Sequence, residues 1–120
     1  IKIGSSTMFT TAPINVVATL NGIGKDRYTV QAGDVLTDRA LAAELAQERY
    51  QLVLANIVAD VIIPLAPQVP GLLAEGGVFL CSGILDSRAH EVEEALARSG
   101  LRVTRKRERN GWAALEAVLA

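Results

Sequence analysis

The chain is predicted to fold as one α/β domain, a mostly parallel sheet with helices on both faces and an antiparallel hairpin at its end. Three observations predict this. Short apolar runs alternate with segments of helical periodicity along the 120 residues, the pattern of strand–helix–strand units. The run from Val78 to Cys81 is apolar at every position, as expected of a parallel strand buried on both faces. Near the end, Asn110-Gly111 separates two strand-like runs; both residues accept positive φ, so this dipeptide marks a tight hairpin.

The elements follow in order. Ile1 to Ile3 starts an apolar alternation, and Gly4, Ser5, Ser6 and Thr7 form a polar loop. Met8 to Leu20 has a broken helical pattern with Pro13 in its first turns, where proline is tolerated. Asn21 and Gly22 end it. Arg27 to Ala32 alternates, with Tyr28 and Val30 on one face, and reads as a strand closed by Gly33 and Asp34. Thr37 is expected to cap a helix running to about Glu48, with Asp38 in its first turn and Leu41 and Leu45 as a buried stripe.

Leu52 to Ala55 is the next strand. Ala59 to Leu73 tends to helix but carries Pro64, Pro67 and Pro70, so one helix to about Leu65 and a short turn after it are expected. Glu75, Gly76 and Gly77 read as a turn before the strand from Val78 to Cys81. Asp86 is expected to cap a helix whose apolar face is Ala89, Val92 and Leu96, with Glu91, Glu93 and Glu94 pointing mainly away and Gly100 at its end. Strands from Leu101 to Arg107 and from Trp112 to Leu119 close the chain. There is no internal repeat and no linker, so residues 1–120 are assigned to one domain.

Composition narrows the function classes. Half the residues are hydrophobic and 21% are charged, which is globular rather than disordered. The net charge of −1 provides no overall field toward nucleic acid or membrane, so neither is expected as a direct partner. No apolar run is long enough to span a bilayer. The lone Cys81 allows no internal disulfide and reads as a small buried hydrophobe, consistent with a reducing cytoplasm. One histidine and one cysteine provide no metal-ligand cluster, so no zinc is expected.

The site candidates start from QLVLANIVAD, Gln51 to Asp60. An apolar strand stops at Asn56, and ligand crevices in open α/β sheets lie beyond the carboxyl ends of the strands. An asparagine there donates and accepts at once. The alternative is that Asn56 caps the next helix. Ser82, Gly83 and Ile84 follow the neighbouring apolar run and would line the same crevice, or Gly83 is only a turn glycine. Asp34 in AGDV either accepts a hydrogen bond from an adenine amino group or is a turn aspartate. His90 sits on a charged helix face and reads as solvated. Arg102, Arg105, Lys106, Arg107 and Arg109 read as a solvated strand edge or, less commonly, a substrate or RNA patch, and Trp112 as core or sheet packing. No GxGxxG, GxxxxGK[ST] or GxSxG motif is present.

The run YQLVLANIVADVIIPLAPQVPGLLAEGGVFLCSGILDSRAHEVEEAL, Tyr50 to Leu96, resembles the ribosomal protein L-eleven methyltransferase family of the PrmA type. LNGI (Leu20 to Ile23), AGDV and the closing GWAAL extend the resemblance to about Leu20–Ala120. The resemblance implies a class I methyltransferase, Rossmann-like fold that binds S-adenosylmethionine and methylates amino groups of a ribosomal protein without metal. Asn56 matches the family's asparagine near the methionine end of the cofactor and the reacting methyl. Asp34 matches the acidic position near the adenine. The carboxylate that clamps the ribose falls near Ser5, where this chain has only hydroxyls.

The family's first strand and Gly-rich loop fall before residue 1, as does its amino-terminal recognition domain. The chain is therefore expected to be the carboxyl-terminal portion of such an enzyme. The first strand is central in the family. Its absence is expected to leave open edges on the strands that start at Ile1 and Leu52, and to favour self-association through them. Two other functions compete: a non-catalytic structural or interaction domain, and a methyltransferase acting on RNA or another protein.

Overall fold

A computed structural model of the chain describes residues 2–3, 6–10 and 36–120. The predicted strand Arg27 to Ala32, the helical segment beyond Thr10, and the candidate residues Ser5 and Asp34 lie outside them. Among the described residues, six strands form one sheet: β1 (Lys2–Ile3), β2 (Ser6–Thr10), β3 (Tyr50–Asn56), β4 (Leu73–Leu85), β5 (Leu101–Arg109) and β6 (Trp112–Leu119). Their spatial order is β1-β2-β3-β4-β6-β5. The pairs β2–β3 and β3–β4 are parallel, whereas β1–β2, β4–β6 and β5–β6 are antiparallel. The helices are α1 (Arg39–Leu45), α2 (Ala59–Leu65) and α3 (Ala89–Arg98), with 3-10 turns at Ala66–Gly71 and Asp86–Arg88. None of these helices is long and apolar enough to cross a membrane.

The strand period of two sorts the side chains between the two faces. Val53, Ala55, Phe79, Cys81, Leu115 and Ala117 are buried and form one core with Ala59, Ile62 and Leu65 of α2 and Ala89, Val92 and Leu96 of α3. Leu52, Leu54, Val78 and Leu80 take the alternate positions and are half-buried. The expected apolar face of α3 is therefore present. Gly100 follows the helix with φ +94°, and the glutamates point outward except Glu93, which is half-buried and meets Lys106 at 3.7 Å. The turn Asn110-Gly111 has φ of 51° and 81° and joins β5 to β6 as expected.

Several expectations are corrected. The open edge on β3 is not there: β2 pairs with it in parallel from Ser6↔Leu52 to Thr10↔Asn56. Met8 to Thr10 is thus strand rather than helix, because its backbone groups find a ladder on β3 that periodicity alone does not reveal. Glu75, Gly76 and Gly77 do not break the chain. β4 starts at Leu73 and absorbs them as an irregularity, with Tyr50↔Leu73 followed by Leu52↔Val78. Gly77 allows this, since a Cβ there would come within 2.8 Å of the carbonyl oxygens of Ala74 and Tyr50.

Asp38, not Thr37, caps α1, accepting from the Leu41 amide at 3.0 Å. Leu41 and Leu45 are half-buried rather than buried. Asp86 opens a 3-10 turn and makes no side-chain cap bond; its backbone amide donates to Gly111 instead, at 2.9 Å. Trp112 is 53% exposed and is no core residue. It begins β6 opposite Leu85 and Arg109, at the end of the strand.

Candidate functional site at the carboxyl ends of β3 and β4

β3 and β4 run parallel, so they end on the same side of the sheet. Asn56 is the last residue of β3, and its register partner is Ser82 on β4. The period of two places both side chains on the face of Leu54 and Leu80, opposite the core packed by α2 and α3. The Ser82 hydroxyl donates to Asn56 Oδ1 at 3.3 Å. Asn56 does not cap the following helix: the N-cap of α2 is Val58, which offers no side-chain bond. Asn56 therefore ends the strand and the cap reading falls. Its amide is exposed, with one end held by Ser82.

β4 is irregular at this point. Cys81 pairs with Leu115 and Ile84 with Ala113, so two residues of β4, Ser82 and Gly83, oppose the single Ala114 of β6. Such a bulge bends a strand and re-aims the side chains beside it. Gly83 takes φ +79°, and a Cβ on it would lie 3.1 Å from Asn56 Oδ1. Glycine at this position keeps the space next to the Asn56 amide clear.

Exposed apolar side chains gather around the same end of the sheet. Val58 and Val61 follow β3, Leu85 ends β4, and Trp112 pairs with Leu85. Trp112 begins its strand where the sequence predicts, but its side chain is exposed rather than packed. The signal that locates it is its position directly after the hairpin turn, which fixes it at the strand end rather than mid-sheet.

The remaining candidates are elsewhere. His90 is 80% exposed and bonds Glu94 at 2.8 Å on the outer face of α3, as a solvated histidine would. Among the described residues no group of His, Cys, Asp and Glu is gathered as a metal site. Cys81 lies in the core, one residue before Ser82, and burial pushes its thiol up to about 12 from 9.0. It stays protonated and packs as a hydrophobe. Arg88 joins the start of α3 to α2, with Asp60 and Glu91 each at 2.8 Å; those two carboxylates raise its pKa further. The arginines of β5 lie on the last strand of the sheet order and are exposed, as expected of an edge.

The arrangement agrees with comparisons to known proteins. A family model described as ribosomal protein L11 methyltransferase (PrmA) matches residues 12–119. A ribosomal protein L11 methyltransferase of Agathobacter rectalis is 40% identical over 93 residues, covering 78% of this chain and 29% of that protein. One from Pelotomaculum thermopropionicum is 43% identical over 88 residues, 73% of this chain and 29% of its own length. The chain thus spans less than a third of these relatives. The crystal structure of a ribosomal protein L11 methylase from Lactobacillus delbrueckii subsp. bulgaricus superposes with a TM-score of 0.70 at 28% identity, over 85% of this chain and 48% of that one. A glycopeptide N-methyltransferase complexed with S-adenosyl-L-methionine shares the fold alone, with a TM-score of 0.60 at 15% identity over 96% of this chain and 77% of its own. The class I methyltransferase, Rossmann-like fold is therefore that of this sheet. With its family model matched from residue 12 to 119, the chain belongs to the ribosomal protein L11 methyltransferase (PrmA) family.

Proposed function

We propose that the chain forms the carboxyl-terminal part of an S-adenosyl-L-methionine-dependent methyltransferase that methylates amino groups of a ribosomal protein. The observation that carries this reading is the Asn56–Ser82 pair at the parallel strand ends, within a chain that belongs to this family. The donor set fits part of such a cofactor's surroundings. The pair is uncharged, it can donate and accept, and Gly83 leaves room where a Cβ would crowd the amide.

When bound, the cofactor supplies a methyl group on a sulfonium. Asn56 would orient the incoming amine. Its Oδ1 has a second lone pair beside the one that Ser82 occupies, and accepting one amine N–H there aims the nitrogen lone pair at the methyl. Nδ2 is left to donate to a carboxylate or carbonyl. In this in-line displacement positioning supplies much of the rate, and neither residue needs to act as a base. The amine must arrive neutral and releases its proton to water after the N–C bond forms. Asp34 is proposed to face the adenine and Ser5 the ribose; both assignments rest on the resemblance.

Calorimetric titration with S-adenosyl-L-methionine tests this reading, with Asn56→Ala as the comparison. Binding that weakens in the variant is the expected result. A folded chain that binds no cofactor would overturn the reading for this chain and leave the non-catalytic domain in its place.

A further inference from the structure

We propose that Ser82 is a positioning residue for Asn56, at the point where β4 bulges at Ser82–Gly83. Three separate features converge on the one side chain. Ser82 is the register partner of Asn56 across the parallel ladder. Its hydroxyl donates to Oδ1 at 3.3 Å. Gly83, at φ +79°, brings its backbone so close that a Cβ would stand 3.1 Å from the same oxygen and 3.5 Å from the Ile57 carbonyl oxygen.

The physical consequence concerns which way the amide faces. The two ends of an asparagine side chain are nearly equal in shape but opposite in hydrogen bonding. A free, exposed amide samples both orientations. With the Ser82 hydroxyl donating to Oδ1, the oxygen is turned toward β4 and both Nδ2 protons face away from it. Without Ser82, the exposed amide loses the partner that holds it in place. The bulge contributes locally: Ser82 and Gly83 together oppose the single Ala114 of β6, and such an extra residue bends a strand and re-aims the side chains beside it. The catalytic consequence rests on the methyltransferase reading above, whereas the contact itself does not.

The test uses the 15N-labelled chain with Ser82→Ala, Ser82→Thr, Asn56→Ala and the double variant Asn56→Ala/Ser82→Ala. The Asn56 side-chain amide resonances are identified by their loss in Asn56→Ala. In Ser82→Ala they are expected to move and to lose order, with the backbone spectrum and the thermal midpoint held. Ser82→Thr keeps a hydroxyl and is expected to restore them. Titration with S-adenosyl-L-methionine is expected to show roughly fivefold weaker binding in Ser82→Ala, the factor carried by one hydrogen bond of ordinary net strength. The same change is expected to add nothing in the Asn56→Ala background. Unmoved Asn56 amide resonances in Ser82→Ala overturn the proposal, as does a Ser82→Ala loss that persists when Asn56 is already alanine. If the wild-type chain binds no cofactor, the methyltransferase reading fails, and the amide resonances still decide the role of Ser82.

Discussion

Gly83 and Asn56 stand against each other across two strands: a Cβ on the glycine would reach to 3.1 Å from Asn56 Oδ1. A glycine there does two jobs, one for the backbone and one for the side chain opposite. Gly83→Ala is expected to destabilise the chain by about 1–2 kcal/mol through its positive φ alone. Gly111→Ala, also at positive φ but with nothing within 4 Å of its added Cβ, carries only the backbone cost. Denaturant unfolding of both variants measures the difference. A Gly83→Ala no worse than Gly111→Ala would mean that the amide yields freely and that the close approach is incidental.

Cys81 sets a pH dependence at the alkaline end. Its folded thiol titrates near 12, against 9.0 without burial, because the desolvated thiolate outweighs the help of the backbone around Leu115. A raised folded pKa means that the folded state keeps its proton while the unfolded state loses it. The contribution to stability is complete below about pH 9 and falls as pH rises toward 12, by at most about 1.4 kcal/mol per pH unit. Replacing the thiol removes this slope. Urea midpoints between pH 8 and 10.5 are expected to fall more steeply for the wild type than for Cys81→Ala. Parallel slopes would contradict it. At pH 8 the native thiol is expected to resist a thiol reagent that modifies it readily in urea.

Phe79 is fully buried at the centre of the sheet, between Val53 on β3 and Ala117 on β6. Phe79→Ala is expected to cost about 3–5 kcal/mol, the transfer of the ring plus the cavity it leaves. Chemical denaturation reads this directly. A cost below about 1.5 kcal/mol would mean that the neighbouring strands and helices collapse into the space.

Arg88 provides the contrast. It holds Asp60 and Glu91 at 2.8 Å each, but all three groups reach solvent. Arg88→Ala is expected to lower the thermal midpoint far less than Phe79→Ala, and the small loss is expected to vanish at 1 M salt, where surface charges are screened. A loss that survives high salt would show that the arginine stem packs α3 against α2, rather than only bridging their charges.

Much of this architecture was legible in the residues themselves. The strand ending at Asn56, the amphipathic face Ala89, Val92 and Leu96, the buried Cys81 and the hairpin at Asn110-Gly111 all follow from periodicity and turn chemistry. The family was legible by resemblance, in ANIVAD and GGVFLCSGIL. These signals are local: each is carried by a few neighbouring residues and holds wherever the segment packs.

What only the tertiary structure decided depends on partners distant in the chain. Whether Met8 to Thr10 is helix or strand turned on the edge that β3 offers. Whether Gly76-Gly77 breaks a strand or sits within it turned on Tyr50 and Leu73 pairing across the irregularity. The exposure of Trp112 follows from where the sheet ends. Above all, the Asn56 amide finds its hydrogen-bond partner in a hydroxyl 26 residues away. The sequence by itself determined that an asparagine would close this strand. Only the register of β4 against β3, with the bulge that bends it, decided what that asparagine faces, because hydrogen-bond partners are chosen by distance in space rather than along the chain.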